Sequence, residues 1–306
     1  MPISSVDTEL STRRRFLAAA GTVACASAIG GCSTFTTLLG TPTALKDISI
    51  TGDTLTVTLS AETDATTLTV IQPNGQPLWR TQLSAGQTRV TVPLLYPKNG
   101  VKIPIPPETY TVVVGKDEEE LDSQEVTLTQ SMTLDNVGVY ETSLQNDFGP
   151  DVTATTDITA TITNTGNHSL RITYLGLTSG VPSPSQFPAR EGTFDGAFKR
   201  QKQLPPTRQG LVLPDRTATF HTVTKPLQFY EDPNDPAPKQ WQGESGHCQG
   251  DTHEATLVIA GTNTLRKQRT IAITYDGKSL STQAIDADWA CTNISLGKTS
   301  NQTAKT

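Results

Sequence analysis

Threonine alternates with apolar residues along this chain, and no other feature restricts its fold as tightly. In Thr54-Leu55-Thr56-Val57-Thr58-Leu59 every second side chain is apolar. A period of two puts Leu55, Val57 and Leu59 on one face of an extended strand and the threonines on the other. Thr suits that setting because its branched Cβ restricts χ1 and packs well on a pleated surface. The signal recurs at Thr67–Ile71, Leu78–Leu83, Thr88–Leu94, Tyr110–Val114 and Glu125–Leu128, with Pro73-Asn74-Gly75 as a turn. Lys116-Asp117-Glu118-Glu119-Glu120 reads as a solvated turn. Long Ala/Leu/Glu/Lys-rich helical stretches are absent. Short strands at this spacing predict an immunoglobulin-like β-sandwich over residues 44–130.

A second, larger sandwich with long loop insertions is predicted over 131–297. Val152–Asn164 alternates and ends in Thr163-Asn164-Thr165-Gly166-Asn167, a turn of residues that tolerate positive φ. Leu170–Leu175 is expected to pair with it as a hairpin. Ala255–Ala260, Arg269–Tyr275 and Leu280–Ile285 supply later strands, and 298–306 reads as a flexible tail. Two stretches interrupt the pattern, Val181–Pro214 and Glu231–Asp251. Loops of that length in a compact domain are usually functional or disordered.

The first 43 residues follow other rules. Thr12-Arg13-Arg14-Arg15-Phe16-Leu17 opens a weakly apolar stretch that ends at Ile29-Gly30-Gly31-Cys32. That stretch is shorter than the about 20 apolar residues a spanning helix needs, so it reads as a processing segment. The first string resembles a twin-arginine export signal, with Arg13 and Arg14 as its pair. The second resembles a lipobox, which implies that residues 1–31 are removed and that Cys32 carries lipid as the new N-terminus. Residues 32–43 would then be a tether. Together with the Thr content and a net charge of −6, these strings resemble twin-arginine-exported lipoproteins of halophilic archaea. The resemblance implies a protein exported already folded and anchored on the outer face of the cytoplasmic membrane.

Two further resemblances concern the fold. Pro107-Glu108-Thr109-Tyr110-Thr111-Val112 is similar to the Pro-Gly-Thr-Tyr-Thr-Val strand of fibronectin-like extracellular modules. The stretch from Thr161 to Asn167, with Leu170 and Ile172–Leu177, resembles adhesion-type sandwiches called CARDB-like, as does the strand entry Leu213–Phe220. Both imply an all-β chain of two immunoglobulin-like β-sandwich domains after an N-terminal signal peptide, and neither carries a binding site.

Cysteine usage adds a pairing. Cys25 lies in the removed segment and Cys32 would be acylated, which leaves Cys248 and Cys291. Outside the membrane, two leftover thiols most simply form a disulfide.

Chemistry-bearing motifs are sparse. No Gly-x-Ser-x-Gly elbow and no His-Glu-x-x-His occurs. His168 and His221 stand alone, a pattern commoner for structural than for catalytic histidines. An acidic chain argues against nucleic-acid binding, which needs cationic groups to displace phosphate counterions. His247, Cys248, Asp251 and His253 are close in sequence, which suggests a metal site. A blue-copper site also wants a nearby Met, and zinc wants four converging ligands; neither set is complete. Asn167-His168-Ser169, Asn293-Ile294-Ser295 and Asn301-Gln302-Thr303 fit the N-glycosylation pattern; at most one or two are expected to be modified, the candidates being Asn167, best placed on a turn, and Asn293.

The insertion Val181–Pro214 concentrates Arg190, Phe194, Phe198, Lys199, Arg200 and Lys202 in an otherwise acidic protein. It could meet an anionic envelope component or a protein partner, or it could fold its Phe side chains back onto the sandwich. The expectation is a non-catalytic, lipid-anchored envelope protein with a binding or scaffolding role and no cofactor. The alternatives are an exported metal- or copper-handling protein using His247 and His253, and an exported hydrolase whose site is dispersed.

Overall fold

In the computed structural model, which describes residues 43–143, 153–185, 198–200, 208–229, 248–281 and 289–297, Leu55, Val57 and Leu59 are buried as the period of two requires. Nine strands follow one another up to residue 127. They are β1 (Leu45–Thr51), β2 (Thr54–Leu59), β3 (Thr67–Ile71), β4 (Pro77–Gln82), β5 (Arg89–Pro93), β6 (Leu95–Lys98), β7 (Val101–Pro104), β8 (Thr109–Lys116) and β9 (Glu119–Thr127). One sheet has the order β1-β2-β5 and its partner β4-β3-β8-β9. Alternate side chains of both, among them Leu68, Val70, Val90, Val92, Val112 and Val114, meet in one core. Tyr110 is buried in that core and its hydroxyl donates to Pro106 O at 3.0 Å. This contact resembles the tyrosine corner of immunoglobulin-like sandwiches. Burial first, and the nearby Glu108 second, push the Tyr110 phenol up to about 12.

Nine more strands among the described residues build the second sandwich. They are β10 (Met132–Ser143), β11 (Thr153–Asn164), β12 (Leu170–Ser179), β13 (Phe198–Arg200), β14 (Leu211–Val212), β15 (Thr217–Thr222), β16 (Asp251–Gly261), β17 (Arg266–Ser281) and β18 (Trp289–Gly297). Their sheets run β10-β11-β15-β13 and β14-β12-β16-β17-β18. Ile158, Ala160 and Ile162 from the first meet Leu175, Leu177, Leu257, Ile259 and Ile273 from the second. Every ladder in both sandwiches is antiparallel. The chain is all-β, and no α-helix occurs among the described residues.

The structure corrects the sequence reading at several places. β11 and β12 do not form a hairpin: β11 lies between β10 and β15, and β12 between β14 and β16. The cause is visible in β12, which is buried on both faces over most of its length. Such a strand belongs inside a sheet with both ladders filled, so the chain arches from one sheet to the other at Asn164–Ser169. Asn164 shapes the arch from within. Its buried Nδ2 donates to His168 O (2.9 Å) and Val212 O (3.0 Å), while Oδ1 accepts from Gly166 N (3.0 Å).

The turn expected over Lys116–Glu120 is confined to Asp117 and Glu118, both at positive φ, and Glu119 already belongs to β9. The β6–β7 hairpin went unread because Pro97 and Pro104 interrupt its strands. Its Asn99-Gly100 turn, with φ of 50° and 75°, is the strongest short hairpin signal a sequence can carry.

Candidate functional site at the joint between the sandwiches

Four buried polar side chains of the described residues, Asn164, His168, Ser169 and Arg171, gather where the two sandwiches meet. Leu128 is the last residue in the first core and Met132 opens the second, so only Thr129, Gln130 and Ser131 connect them. The Asn164–Ser169 arch folds over this connection. Thr165 N donates to Ser131 O at 3.0 Å and His168 N to Thr129 O at 3.1 Å. Asn167 Oδ1 accepts from Thr129 N (2.7 Å) and Thr129 Oγ1 (3.1 Å), and its Nδ2 donates to Thr127 O (2.9 Å). Gln130 Nε2 donates to Ser169 O at 2.7 Å and accepts at Oε1 from Asn263 Nδ2 at 3.1 Å. Gly166 is needed because a Cβ there would stand 2.3 Å from Thr129 O.

Beyond the connection, the arch and the start of β12 reach the first sandwich itself. Ser169 Oγ donates to Gly52 O at 3.3 Å, His168 Nε2 to Ile105 O at 3.1 Å, and the Arg171 guanidinium to Lys102 O at 3.5 Å. His168, Ser169 and Arg171 are all buried. Hydrogen bonds from three residues of the arch and β12, His168, Ser169 and Arg171, to backbone of the other sandwich fix their mutual orientation, since each buried donor that separated would have to find another acceptor.

His168 makes this joint sensitive to acid. A carbonyl can only accept, so Nε2 carries the proton; Nδ1 is buried without a hydrogen-bond partner among the described residues. Burial lowers the His168 pKa below 6.5, against smaller opposite effects of the Ile105 hydrogen bond and Asp53. The unfolded chain therefore takes up a proton first as pH falls. The His168 contribution to stability is complete above about pH 6.5 and is lost as pH drops towards the lowered value. His168→Gln should be less stable at neutral pH and lose less stability on acidification. Urea midpoints at about pH 7.5 and about pH 5.5 test this; equal pH dependence in both proteins would count against it.

A second buried polar cluster braces the far end of β11. Asp157 accepts from Thr156 Oγ1 (3.0 Å), Thr222 Oγ1 (2.8 Å) and Lys225 N (3.0 Å). Thr222 Oγ1 in turn accepts from Ile158 N at 3.1 Å.

The residues singled out in the sequence distribute as follows. Cys248 and Cys291 form a disulfide, with Cα atoms 5.5 Å apart, inside the second core. Cys248 is therefore spent. His253 lies half-buried with its ring edge-on to Tyr275, and His247 lies outside the described residues. No group of three or more His, Cys, Asp or Glu that could hold a metal ion occurs among the described residues.

Of the basic insertion, Arg190, Phe194 and Lys202 lie outside the described residues. Phe198 is buried, 7% exposed, edge-on to Phe220. It packs back on the sandwich and is not an exposed anchor, because β13 adds to the sheet beside β15 and turns that side chain into the core. Lys199 and Arg200 stand in register with His221 and Phe220. His221 stacks on Tyr140, centroids 4.2 Å apart.

Asn167 and Asn293 are both exposed. Arg13, Arg14 and Cys32 lie outside the described residues. Arg171 and Asn164 were missed; a polar residue inside an otherwise apolar run, as in Leu170-Arg171-Ile172, was the available signal.

No family model matches the chain, and no curated protein matches it. One solved structure is similar, a β-glycosidase from Bacteroides vulgatus, at 12% sequence identity with a TM-score of 0.18. The match covers 75% of this chain and spans only 24% of that one. A likeness this slight carries no argument about activity.

Proposed function

We propose that this chain is a non-catalytic lipoprotein of the cell envelope, of the twin-arginine-exported, haloarchaeal type, with a binding or scaffolding role. Lipid on Cys32 anchors it at the outer face of the cytoplasmic membrane. The observation that carries the reading is the buried Cys248–Cys291 disulfide, a bond rare in reducing compartments and stable outside them. It agrees with the export and lipobox strings around Arg13, Arg14 and Cys32. The use of the polar groups also favours a scaffold: the buried Asp157, Asn164 and Ser169, and the exposed Asn167, each spend hydrogen bonds on backbone or neighbouring side chains.

Cys32→Ser is expected to shift the protein from the membrane to the soluble fraction, or to leave the uncleaved precursor, read by fractionation and intact mass. Replacing Arg13 and Arg14 together with Lys should strand the precursor in the cytoplasm. Normal membrane retention of the first variant would refute the anchor, and normal export of the second would refute the route.

A further inference from the structure

Two of the three N-glycosylation triplets fall on described residues, and the fold treats them in opposite ways. In Asn167-His168-Ser169 all three residues belong to the joint. The Asn167 carboxamide is held by Thr127 and Thr129 through the three hydrogen bonds given above. His168 and Ser169 are completely buried, and the Ser169 hydroxyl donates to Gly52 O. The amide nitrogen and the hydroxyl that the acceptor pattern requires are both engaged in holding the sandwiches together.

In Asn293-Ile294-Ser295 the arrangement is reversed. The triplet lies in β18, the last strand of its sheet, with β17 as its neighbour on one side only among the described residues. Side chains two apart on a strand share a face. Asn293 and Ser295 accordingly are both exposed, while Ile294 turns into the core. The Asn293 carboxamide makes no hydrogen bond among the described residues. Its backbone faces Asp276, next to the Gly277 bulge in β17, and Ser295 faces Thr274.

We infer that Asn293 is a glycosylated asparagine of this protein and that Asn167 is not, an inference that rests on the proposed export of an already folded chain. An enzyme outside the membrane then meets only the native fold. It can engage the Asn293 amide and the Ser295 hydroxyl, both exposed on β18, whereas at the arch the exposed Asn167 amide is tied to Thr127 O and the Ser169 hydroxyl is buried. The co-substrate is a lipid-phosphate-activated oligosaccharide. Asn293 Nδ2 attacks its anomeric carbon; the C1–N bond forms as the C1–O bond to phosphate breaks. The lipid phosphate leaves with the bonding electron pair, and Nδ2 loses one proton.

Peptide mass mapping of the full-length protein isolated from the envelope of its own host tests this. The Asn293 peptide should carry the mass of an oligosaccharide and the Asn167 peptide none. Asn293→Gln and the surface change Ser295→Ala should each abolish the modification while thermal unfolding stays unchanged. A bare Asn293, or a glycan on Asn167, overturns the inference. The export reading is judged separately, by the localisation of the Arg13/Arg14 double Lys variant: normal export of that variant alongside a glycan on Asn293 would sink the route and leave the site standing.

Discussion

Replacing Cys248 and Cys291 together with Ala is expected to destabilise the second sandwich by about 4 kcal/mol. The bond links residues 43 apart in sequence, and closing a loop of that length removes much of the freedom of the unfolded chain. The segment inside the loop contains β16 and β17, two of the five strands in their sheet. In the native state neither sulfur is exposed enough to serve another purpose: Cys291 is fully buried and Cys248 is 5% exposed, both within the core. Cys248 also anchors the chain where it enters β16, beside the hydrogen bond from Gly250 N to Tyr275 O at 2.8 Å. Denaturant titration of the wild type with and without reductant, beside the double Ala variant, measures the effect. The reduced wild type and the variant should unfold at similarly lowered midpoints. A variant that keeps the wild-type midpoint would show that the bond stabilises nothing.

The Cys248–Cys291 pair was legible because it follows from counting thiols. The strands of the first sandwich were legible because Thr alternates with Leu and Val, and alternation is local information. What sequence hid was the partner of each strand. β12 carries Leu170, Ile172, Leu175 and Leu177 next to a turn rich in Asn and Gly, which locally is indistinguishable from the second half of a hairpin. Only burial on both of its faces, a property of the assembled sheet, places it between β14 and β16. β18 was missed for a related reason: exposed Thr292, Asn293 and Ser295 dilute its apolar signal, as befits the last strand of its sheet among the described residues. The joint was hidden most deeply. Asn167, His168 and Ser169 read as a polar surface turn, yet they meet Thr129, Ile105 and Gly52 across long stretches of chain. A polar turn that finds partners in another sandwich looks in sequence like one that finds water.

Removing the Asp157 carboxylate should be nearly as costly as removing the disulfide. Asp157→Ala is expected to lose about 3 kcal/mol, because it removes the acceptor of the Thr222 hydroxyl and the Lys225 amide and one partner of Thr156. Buried donors stripped of a partner retain their desolvation cost, and bonds to a carboxylate are stronger than bonds between neutral groups. The damage should spread along the segment after β15. Lys225 sits at a positive φ of 48°, a conformation Lys adopts only when its surroundings hold it there. Leu227 N bonds to Thr156 O at 3.1 Å, and Leu227 and Phe229 are fully buried in the core beyond. Loosening Lys225 therefore loosens the entry of two large apolar side chains. Asp157→Asn separates the roles of the group. Its carbonyl oxygen can still accept from Thr222 and Lys225, and the Thr156 hydroxyl can rotate to accept from the new amide. That variant should lose less than about 1.5 kcal/mol, the cost of exchanging charged for neutral hydrogen bonds. Urea unfolding of the three proteins at one neutral pH gives the comparison. An Ala variant as stable as the Asn variant would mean that the cluster contributes little and that Leu227 and Phe229 hold their segment by packing alone.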